Sequence, residues 1–308
     1  MAGHVLMFSG KGGVGKTTCA AAAALHFATQ GSRTLAISTD ATPSLSHIYE
    51  TSGNGRLTRV ADNLYFQELG LEQVREMWDN KFGREVYDVF SAFVDIEYTN
   101  FVGFMTSVLP GLSDEMMVEY IRELVERGDY DTIVWDTAPL GQTLALLQTP
   151  TLLADHLRLA PRIYSRLRIA SRKRGPVLDI LRRWGKLSEQ NMDFLRSEVR
   201  FALVTIPEAL AVQQLDHILG ELSKYGIAAR DMVVNHVVKQ EDSPYLRTRK
   251  AQQRVYLDII HAKYGDKRIV ELPAFAKEVK GLDSLREVAR LLWKEGFPGT
   301  YAQSASPM

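Results

Sequence analysis

The chain has 308 residues, a length that suits one large α/β domain or such a domain with an insertion. Its 37 basic residues balance 37 acidic ones, so overall charge gives no reason to expect nucleic acid or an anionic membrane as a partner. The single cysteine, Cys19, excludes internal disulfides and thiolate-rich metal sites, and no apolar run approaches the roughly 20 residues that span a bilayer. We therefore expect a cytoplasmic enzyme without a signal peptide.

Short apolar runs predict seven strands, and helix-forming segments separate most of them. The predicted strands lie near Val5–Phe8, Thr34–Thr39, Leu64–Glu68, Thr132–Asp136, Phe201–Ile206, Met232–His236 and Arg268–Leu272. Several runs are apolar almost throughout, which indicates a sheet covered on both faces. The alternation of strands and helices favours an α/β fold with a doubly wound, mainly parallel sheet.

A glycine-rich loop follows the first predicted strand and precedes an Ala-rich helix. It reads Gly10-Lys11-Gly12-Gly13-Val14-Gly15-Lys16-Thr17-Thr18 and fits the phosphate-binding template G-x-x-x-x-G-K-[ST]. Glycines let backbone N–H groups surround a phosphate without Cβ clashes, and the helix N-terminus adds partial positive charge. Lys16 can reach the β- and γ-phosphates, and the Thr17 hydroxyl can ligate Mg²⁺. The strand–loop–helix context favours this P-loop over an ordinary glycine turn.

A second lysine, Lys11, stands near the start of the same loop. It cannot easily reach the γ-phosphate of its own loop, but it can reach one that a partner subunit binds. There it would supply positive charge in trans, as an arginine finger does.

Two aspartates follow predicted strands. Asp136 ends an apolar strand, where a carboxylate that supports Mg²⁺ through water is expected, although such an acid also caps helices. Asp40 follows the second strand, which we expect to lie beside the first strand and near the phosphates. It could orient or deprotonate an attacking water, and a turn or cap role is the alternative.

These motifs resemble those of a known family. Lys11 together with Lys16 marks the deviant Walker A ATPases, which include partition ATPases, nitrogenase iron protein and the ArsA group. Ile37–Ser46 and Asp136–Leu144 resemble the two switch motifs of the ArsA/guided-entry-of-tail-anchored-protein ATPase family. Later signatures of that family are matched by Pro207-Glu208, Val233–Asn235 and Leu272–Leu282. The resemblance spans residues 4 to about 293.

The resemblance implies a P-loop NTPase of residues 1–297 that hydrolyses ATP with Mg²⁺ as a nucleotide-bridged homodimer. For the reaction, it implies that Lys11 is the intermonomer lysine and Lys16 the P-loop lysine. It also implies that Thr17 is a Mg²⁺ ligand, that Asp40 is the catalytic carboxylate of switch I, and that Asp136 holds Mg²⁺ through water. For the nucleotide, it implies adenine binding by Asn235 with Pro273 nearby, and a contact by Glu208 near the dimer interface.

The chain departs from the family pattern in its two switches, in its lack of a Cys-x-x-Cys pair, and in a segment between switch II and Pro207 that is shorter than in the delivery factors, which weighs against a full client groove. Switch I reads Ala41-Thr42-Pro43 in place of Pro-Ala-His, and His47 replaces the acid that normally ends it. In switch II, Leu140 and Gln142 stand where the family has Thr and His. Val237–Gln253 contains no cysteine, so we expect no zinc bridge, and a lone cysteine also disfavours soft arsenite binding.

Two segments without a strand pattern, residues 71–126 and 152–198, predict a helical subdomain at one edge of the site, and residues 298–308 predict a frayed tail. Residues 82–118 are rich in aromatic and methionine side chains: Phe82, Tyr87, Phe90, Phe93, Phe101, Phe104, Met105, Met116 and Met117. Such side chains suit a groove for a hydrophobic transmembrane segment of a client protein, and a plain helical core explains them equally well.

A basic segment, Arg158 to Lys186, carries ten Lys and Arg residues against Asp179 alone. A solvated helix face is one interpretation. A membrane receptor or anionic membrane, an acidic partner, and DNA are the others. The switch I sequence disfavours the DNA-binding partition group. The resemblance implies targeting of hydrophobic membrane-protein segments as the leading role, with an anion pump-driving subunit, a partition ATPase and a catalytically dead nucleotide-binding module as rivals.

Overall fold

The computed structural model describes residues 4–39, 44–53, 55–91, 95–108, 112–137, 171–294 and 296–297. Within these ranges it has eight strands: β1 (His4–Gly10), β2 (Thr34–Ser38), β3 (Thr58–Ala61), β4 (Leu64–Glu68), β5 (Thr132–Asp136), β6 (Val199–Thr205), β7 (Ala229–Val237) and β8 (Arg268–Pro273).

Ten α-helices lie in the same ranges: α1 (Lys16–Thr29), α2 (Leu45–Ile48), α3 (Leu71–Trp78), α4 (Arg84–Phe90), α5 (Tyr98–Val108), α6 (Leu112–Arg127), α7 (Ser171–Ser197), α8 (Ala209–Lys224), α9 (Pro244–Lys263) and α10 (Gly281–Lys294). A π-helical turn, Asp79–Gly83, joins α3 to α4.

The strands form one sheet in the order β3-β4-β2-β5-β1-β6-β7-β8. Every neighbouring pair is parallel except β3 and β4. The seven predicted strands and the mainly parallel, doubly wound α/β sheet are therefore confirmed. The sequence did not predict β3, because this four-residue edge strand is only partly buried and has no apolar run.

The expected position of β2 beside β1 is wrong. Strand β5 lies between them, and Asp136 at its end pairs in register with Phe8 of β1 and Ser38 of β2. Because the three strands are parallel, their carboxyl ends still share one edge of the sheet. That edge holds the phosphate loop on one side and the end of β2 on the other.

The sheet is covered on both faces. On one face, α1 packs between the sheet and α10, and its run of five alanines, residues 20–24, is fully buried. On the other face, Trp135 and Phe201 of the sheet belong to one core with Trp78 and Phe101 from the helices that follow β4. These small side chains let α1 pack closely against the sheet, just after the glycine-rich loop.

Helices make up most of the described residues in both predicted helical segments. Phe101, Met116 and Met117 are buried in the core that reaches the sheet, whereas Phe104 is 43% exposed. The side chains of Phe90, Phe93 and Met105 lie outside the described part, as do residues 138–170. The helical subdomain remains a prediction. None of the helices that the structure describes combines the length and apolar character needed to cross a membrane.

Candidate nucleotide-binding site

The glycine-rich loop lies at the carboxyl edge of the sheet, between the end of β1 and the first turn of α1. Gly13 and Gly15 adopt φ values of +78° and +94°, which side chains other than glycine rarely take. A Cβ on Gly10 would overlap the backbone carbonyl of Val204 in β6. The loop conformation therefore requires these glycines, as the motif predicts, and leaves backbone N–H groups at the N-terminus of α1 to face an anion.

The two loop lysines differ in their surroundings. Lys16 is 7% exposed, and its Nζ donates a hydrogen bond to the carbonyl of Lys11 at 3.3 Å. Lys11 is partly exposed, and no carboxylate in the described ranges forms an ion pair with its ammonium. The loop therefore holds one lysine inward and leaves the other at its surface.

Asp136 meets the first turn of α1. The Thr17 hydroxyl donates to Asp136 Oδ2 at 2.8 Å, and the Ser38 hydroxyl lies 3.5 Å from the same oxygen. Asp136 is 1% exposed, so the polar cluster is enclosed. A hydroxyl and a carboxylate are hard oxygen donors of the kind that Mg²⁺ prefers. Thr17 and Asp136 therefore fit the metal that the sequence predicts for them.

Hydrogen bonds fix the ends of β2 and β5 at this edge. The Trp135 indole N–H donates to Thr39 Oγ1 at 3.2 Å, and the Thr137 hydroxyl donates to the Phe8 carbonyl at 2.8 Å. Asp40, Ala41–Pro43 and Ala138–Thr143 lie outside the described residues. On the N-terminal side of Asp40, the described range ends at Thr39.

Asn235 of β7 contacts the phosphate loop directly. Its Nδ2 donates to the Val14 carbonyl at 2.9 Å, and the side chain is buried. A Cβ on Gly15 would overlap Nδ2, so this glycine is needed for the close approach of Asn235 as well as for its own φ. The bond joins residues 221 positions apart in sequence. The resemblance implied an adenine contact for Asn235 but not this support of the loop.

A cavity of about 400 Å³ opens beside the N-terminus of α1. Its wall combines polar side chains with an apolar floor from β8 and α10, and the lining includes Thr17, Thr18, Asn235, His236, Leu272 and Phe275. Pro273 ends β8 in register with Val237, next to this wall. The volume and mixed lining are typical of a pocket for a small ligand.

His47, which replaces a family acid, lies at the rim of the cavity. Its Nε2 is 3.6 Å from Glu278 Oε1, and Glu278 also pairs with Lys280 at 2.9 Å. The hydrogen bond from Lys280 and then the His47 contact lower the pKa of Glu278. This bridge between α2 and the segment before α10 could not be predicted from either residue alone.

Glu208 lies just before α8 and pairs with Arg249 of α9. It is not among the cavity-lining residues, but its charge acts on His236. Partial burial lowers the pKa of His236, and the Glu208 carboxylate opposes this shift. Arg249 was missed, because nothing in its sequence context distinguishes it from the other basic residues of α9.

Cys19 lies in the buried part of α1, near Asp136. Burial, and secondarily the Asp136 charge, raise the pKa of its thiol to about 12. The thiol is therefore a packing group rather than a nucleophile or soft ligand.

A family model described as anion-transporting ATPase matches residues 3–294. Among curated proteins, an Aquifex aeolicus protein provisionally named arsenical pump-driving ATPase 2 is 29% identical over 94% of this chain and 99% of its own length. ATPase GET3A of Arabidopsis thaliana is 30% identical over 90% of this chain and 80% of its own. ATPase ASNA1 homolog 1 of Paramecium tetraurelia is 28% identical over 94% and 92%.

Proposed function

The chain belongs to the anion-transporting ATPase (ArsA) family, and we propose that it hydrolyses ATP with Mg²⁺ as a homodimer whose two subunits share their nucleotides. Family membership makes it an ATPase that binds nucleotide. The observation that supports Mg²⁺-dependent hydrolysis is the geometry of the loop: Thr17 is hydrogen-bonded to Asp136, and Lys16 is held inward over the Lys11 carbonyl.

In this proposal, the loop residues bind the phosphates. Backbone N–H groups from Gly12 to Thr18 surround them, and the Lys16 ammonium neutralises oxygens of the β- and γ-phosphates. Mg²⁺ held by Thr17, and by Asp136 through water, would add positive charge at the same oxygens. The buried position of Asp136 strengthens its hydrogen bond to Thr17, because little water competes for the carboxylate.

Asp40 is the proposed catalytic carboxylate. It would orient a water whose oxygen attacks the γ-phosphorus while the bond from that phosphorus to the β,γ-bridging oxygen breaks. ADP and inorganic phosphate leave, and the proton of the water passes to Asp40 or to the phosphate. Support comes from Thr39, which the Trp135 indole fixes at the end of β2, beside the strand that ends at Asp136.

Lys11 is the proposed source of charge in trans. Its carbonyl faces Lys16, while its ammonium is partly exposed and pairs with no carboxylate of the described chain. An unpaired cation at the surface of a phosphate loop suits a second loop that carries nucleotide opposite to it. This arrangement requires a dimer for activity.

Heterodimers test the trans role. We expect Lys11→Ala and Asp40→Asn to be inactive as homodimers, with Lys11→Ala still binding ATP. In a heterodimer of these two variants, isolated with two affinity tags, one site has an intact Asp40 and receives Lys11 from the partner. Its turnover should recover to roughly half that of the wild type, because one of two sites works.

The matched control pairs Lys16→Ala with Asp40→Asn, and it should stay inactive, because Lys16 serves its own subunit. An inactive Lys11→Ala/Asp40→Asn heterodimer, or normal turnover by the Lys11→Ala homodimer, would contradict a trans role.

For the biological role, we propose targeting of hydrophobic membrane-protein segments, supported by the resemblance of the switch motifs. Among the described side chains of the helical segments, Phe104 is an exposed aromatic, whereas Phe101, Met116 and Met117 pack into the core. Phe101, Met116 and Met117 would therefore not line a groove, whereas Phe104 could. A pump-driving role is the second candidate, favoured by the Aquifex relative.

A crosslinking experiment separates these roles. A transmembrane-helix peptide with a photoreactive residue should crosslink to the Asp40→Asn variant with ATP, and a peptide of the same length with central lysines should not. Equal labelling by both peptides would refute a hydrophobic client.

The exposed Arg182 and Lys186 belong to the basic segment Arg158–Lys186 and could serve a membrane receptor or an acidic partner.

A further inference from the structure

Strand β7 carries a bulge where it reaches the cavity. Val234 pairs with Glu271 and Val237 pairs with Pro273, so three residues along β7 match two along β8. The extra residue falls in the segment Asn235–His236, and His236 takes a φ of +59°. A bulge leaves backbone groups that cannot join the regular ladder, and a left-handed residue other than glycine needs support from its surroundings.

A buried glutamine of α9 provides that support. Gln253 Nε2 donates to the His236 carbonyl at 2.9 Å, and Gln253 Oε1 accepts from the Val238 N–H at 2.8 Å. Gln253 is 3% exposed, so water competes little for either bond. Its planar amide acts like a peptide group of a neighbouring strand and fixes the backbone on both sides of Val237.

The bulge in turn presents two side chains to the nucleotide-binding site. Asn235 holds the Val14 carbonyl, and both Asn235 and His236 line the cavity beside Thr17. Gln253 itself does not line the cavity. Any effect of Gln253 on a ligand must therefore pass through the backbone of the bulge.

A second contact from the same helix reaches the same region. Arg249 lies one turn before Gln253 and pairs with Glu208, whose charge acts on His236. Helix α9 thus contacts the bulge through the two hydrogen bonds of Gln253 and contacts Glu208 through the ion pair of Arg249. Because the two residues are four positions apart, both links lie on the same side of the helix.

We propose that Gln253 is a positioning residue for the nucleotide, because its amide holds the bulge that turns Asn235 and His236 toward the bound ligand. This proposal rests on the proposed function, since it requires ATP to bind at the phosphate loop and in the adjoining cavity. It adds a residue whose contribution is to the geometry of ATP binding rather than to the chemical step.

The test is a comparison of Gln253→Met with Gln252→Met. Methionine has nearly the length of glutamine but cannot make either hydrogen bond, and Gln252 is an exposed neighbour on the same helix. We expect Gln253→Met to raise KM for ATP about tenfold with kcat within about twofold of the wild type, because a contact made equally in ground and transition states changes KM alone. Gln252→Met should match the wild type in both constants.

A glutamine that only stabilised the strand would behave differently. Gln253→Met would then have a lower unfolding temperature and less active protein, with an unchanged KM, and this outcome would overturn the positioning role. If Gln253→Met fails to fold, Gln253→Glu decides the question, because it keeps the bond from Val238 and loses the donor to His236. Its KM must also rise, and an unchanged KM overturns the proposal.

The two proposals fail in distinguishable ways. Wild-type protein without saturable ATP turnover would refute the proposed function. Normal wild-type turnover with an unchanged KM in Gln253→Met, or in Gln253→Glu if Gln253→Met does not fold, would refute only the positioning role.

Discussion

Replacing Gly15 by alanine tests the contact between Asn235 and the phosphate loop. An alanine at φ +94° costs about 1–2 kcal/mol in backbone strain. Its Cβ would also overlap Asn235 Nδ2, which must then move and break its 2.9 Å bond to the Val14 carbonyl. Val14 is 1% exposed, so leaving this carbonyl unpaired costs a further 1–3 kcal/mol or so. We expect a total loss of about 3 kcal/mol in the free energy of unfolding.

A double-mutant cycle separates the two contributions. In an Asn235→Ala background the overlap is gone, so Gly15→Ala should cost only the backbone strain, and the coupling energy should be about 2 kcal/mol. Gly31→Ala is the matched control, because Gly31 has a φ of +88° with open space around its Cβ position. It should cost about 1 kcal/mol.

Equilibrium urea unfolding of nucleotide-free protein, followed by circular dichroism, measures each free energy. An equal cost of Gly15→Ala in both backgrounds, or a cost no larger than that of Gly31→Ala, would contradict this expectation. In either case Asn235 would not be held against the loop in solution.

Two further predictions concern stability. Burial lowers the pKa of His26, whose ring stacks on Trp293 at 3.7 Å, so below its ordinary pKa of 6.5 the unfolded chain takes up a proton that the folded chain resists. The free energy of unfolding should therefore fall as the pH drops below 6.5, and it should fall less steeply in His26→Phe. Urea titrations between pH 5.5 and 8 measure this pH dependence, and an equal dependence in the two proteins would contradict the prediction. Phe101→Ala should lower the free energy of unfolding by about 3–5 kcal/mol because Phe101 is fully buried, whereas Phe104→Ala should lower it by less than about 1 kcal/mol. Similar urea midpoints for the two variants would contradict the assignment of Phe101 to the core.

The sequence allowed the strands to be predicted, but not their order. Strands buried on both faces are apolar along their length, so the run at β5 is visible in the sequence itself. Which strand lies next to which depends on packing between segments far apart in the chain. The insertion of β5 between β1 and β2 therefore had no local signal, and neither did the half-exposed edge strand β3.

In the site, local motifs were predictable and long-range contacts were not. The loop from Gly10 to Thr18 has its own sequence signature, because the glycines and the lysine are needed within nine residues. Gln253 has no such signature. It stands beside Gln252 in the same helix, and only the rotation of the helix buries one amide against β7 and leaves the other exposed.

The contact of Asn235 with the loop is compatible with the adenine contact that the resemblance implies for it. A side-chain amide has two N–H donors and one carbonyl acceptor. One donor goes to the Val14 carbonyl, which leaves the second N–H and Oδ1 for the edge of a base. An aspartate could not donate to Val14, and an alanine would leave that carbonyl unpaired. The bond to Val14 therefore favours asparagine at this position, and the adenine contact that the resemblance implies would use the other polar atoms of the same amide.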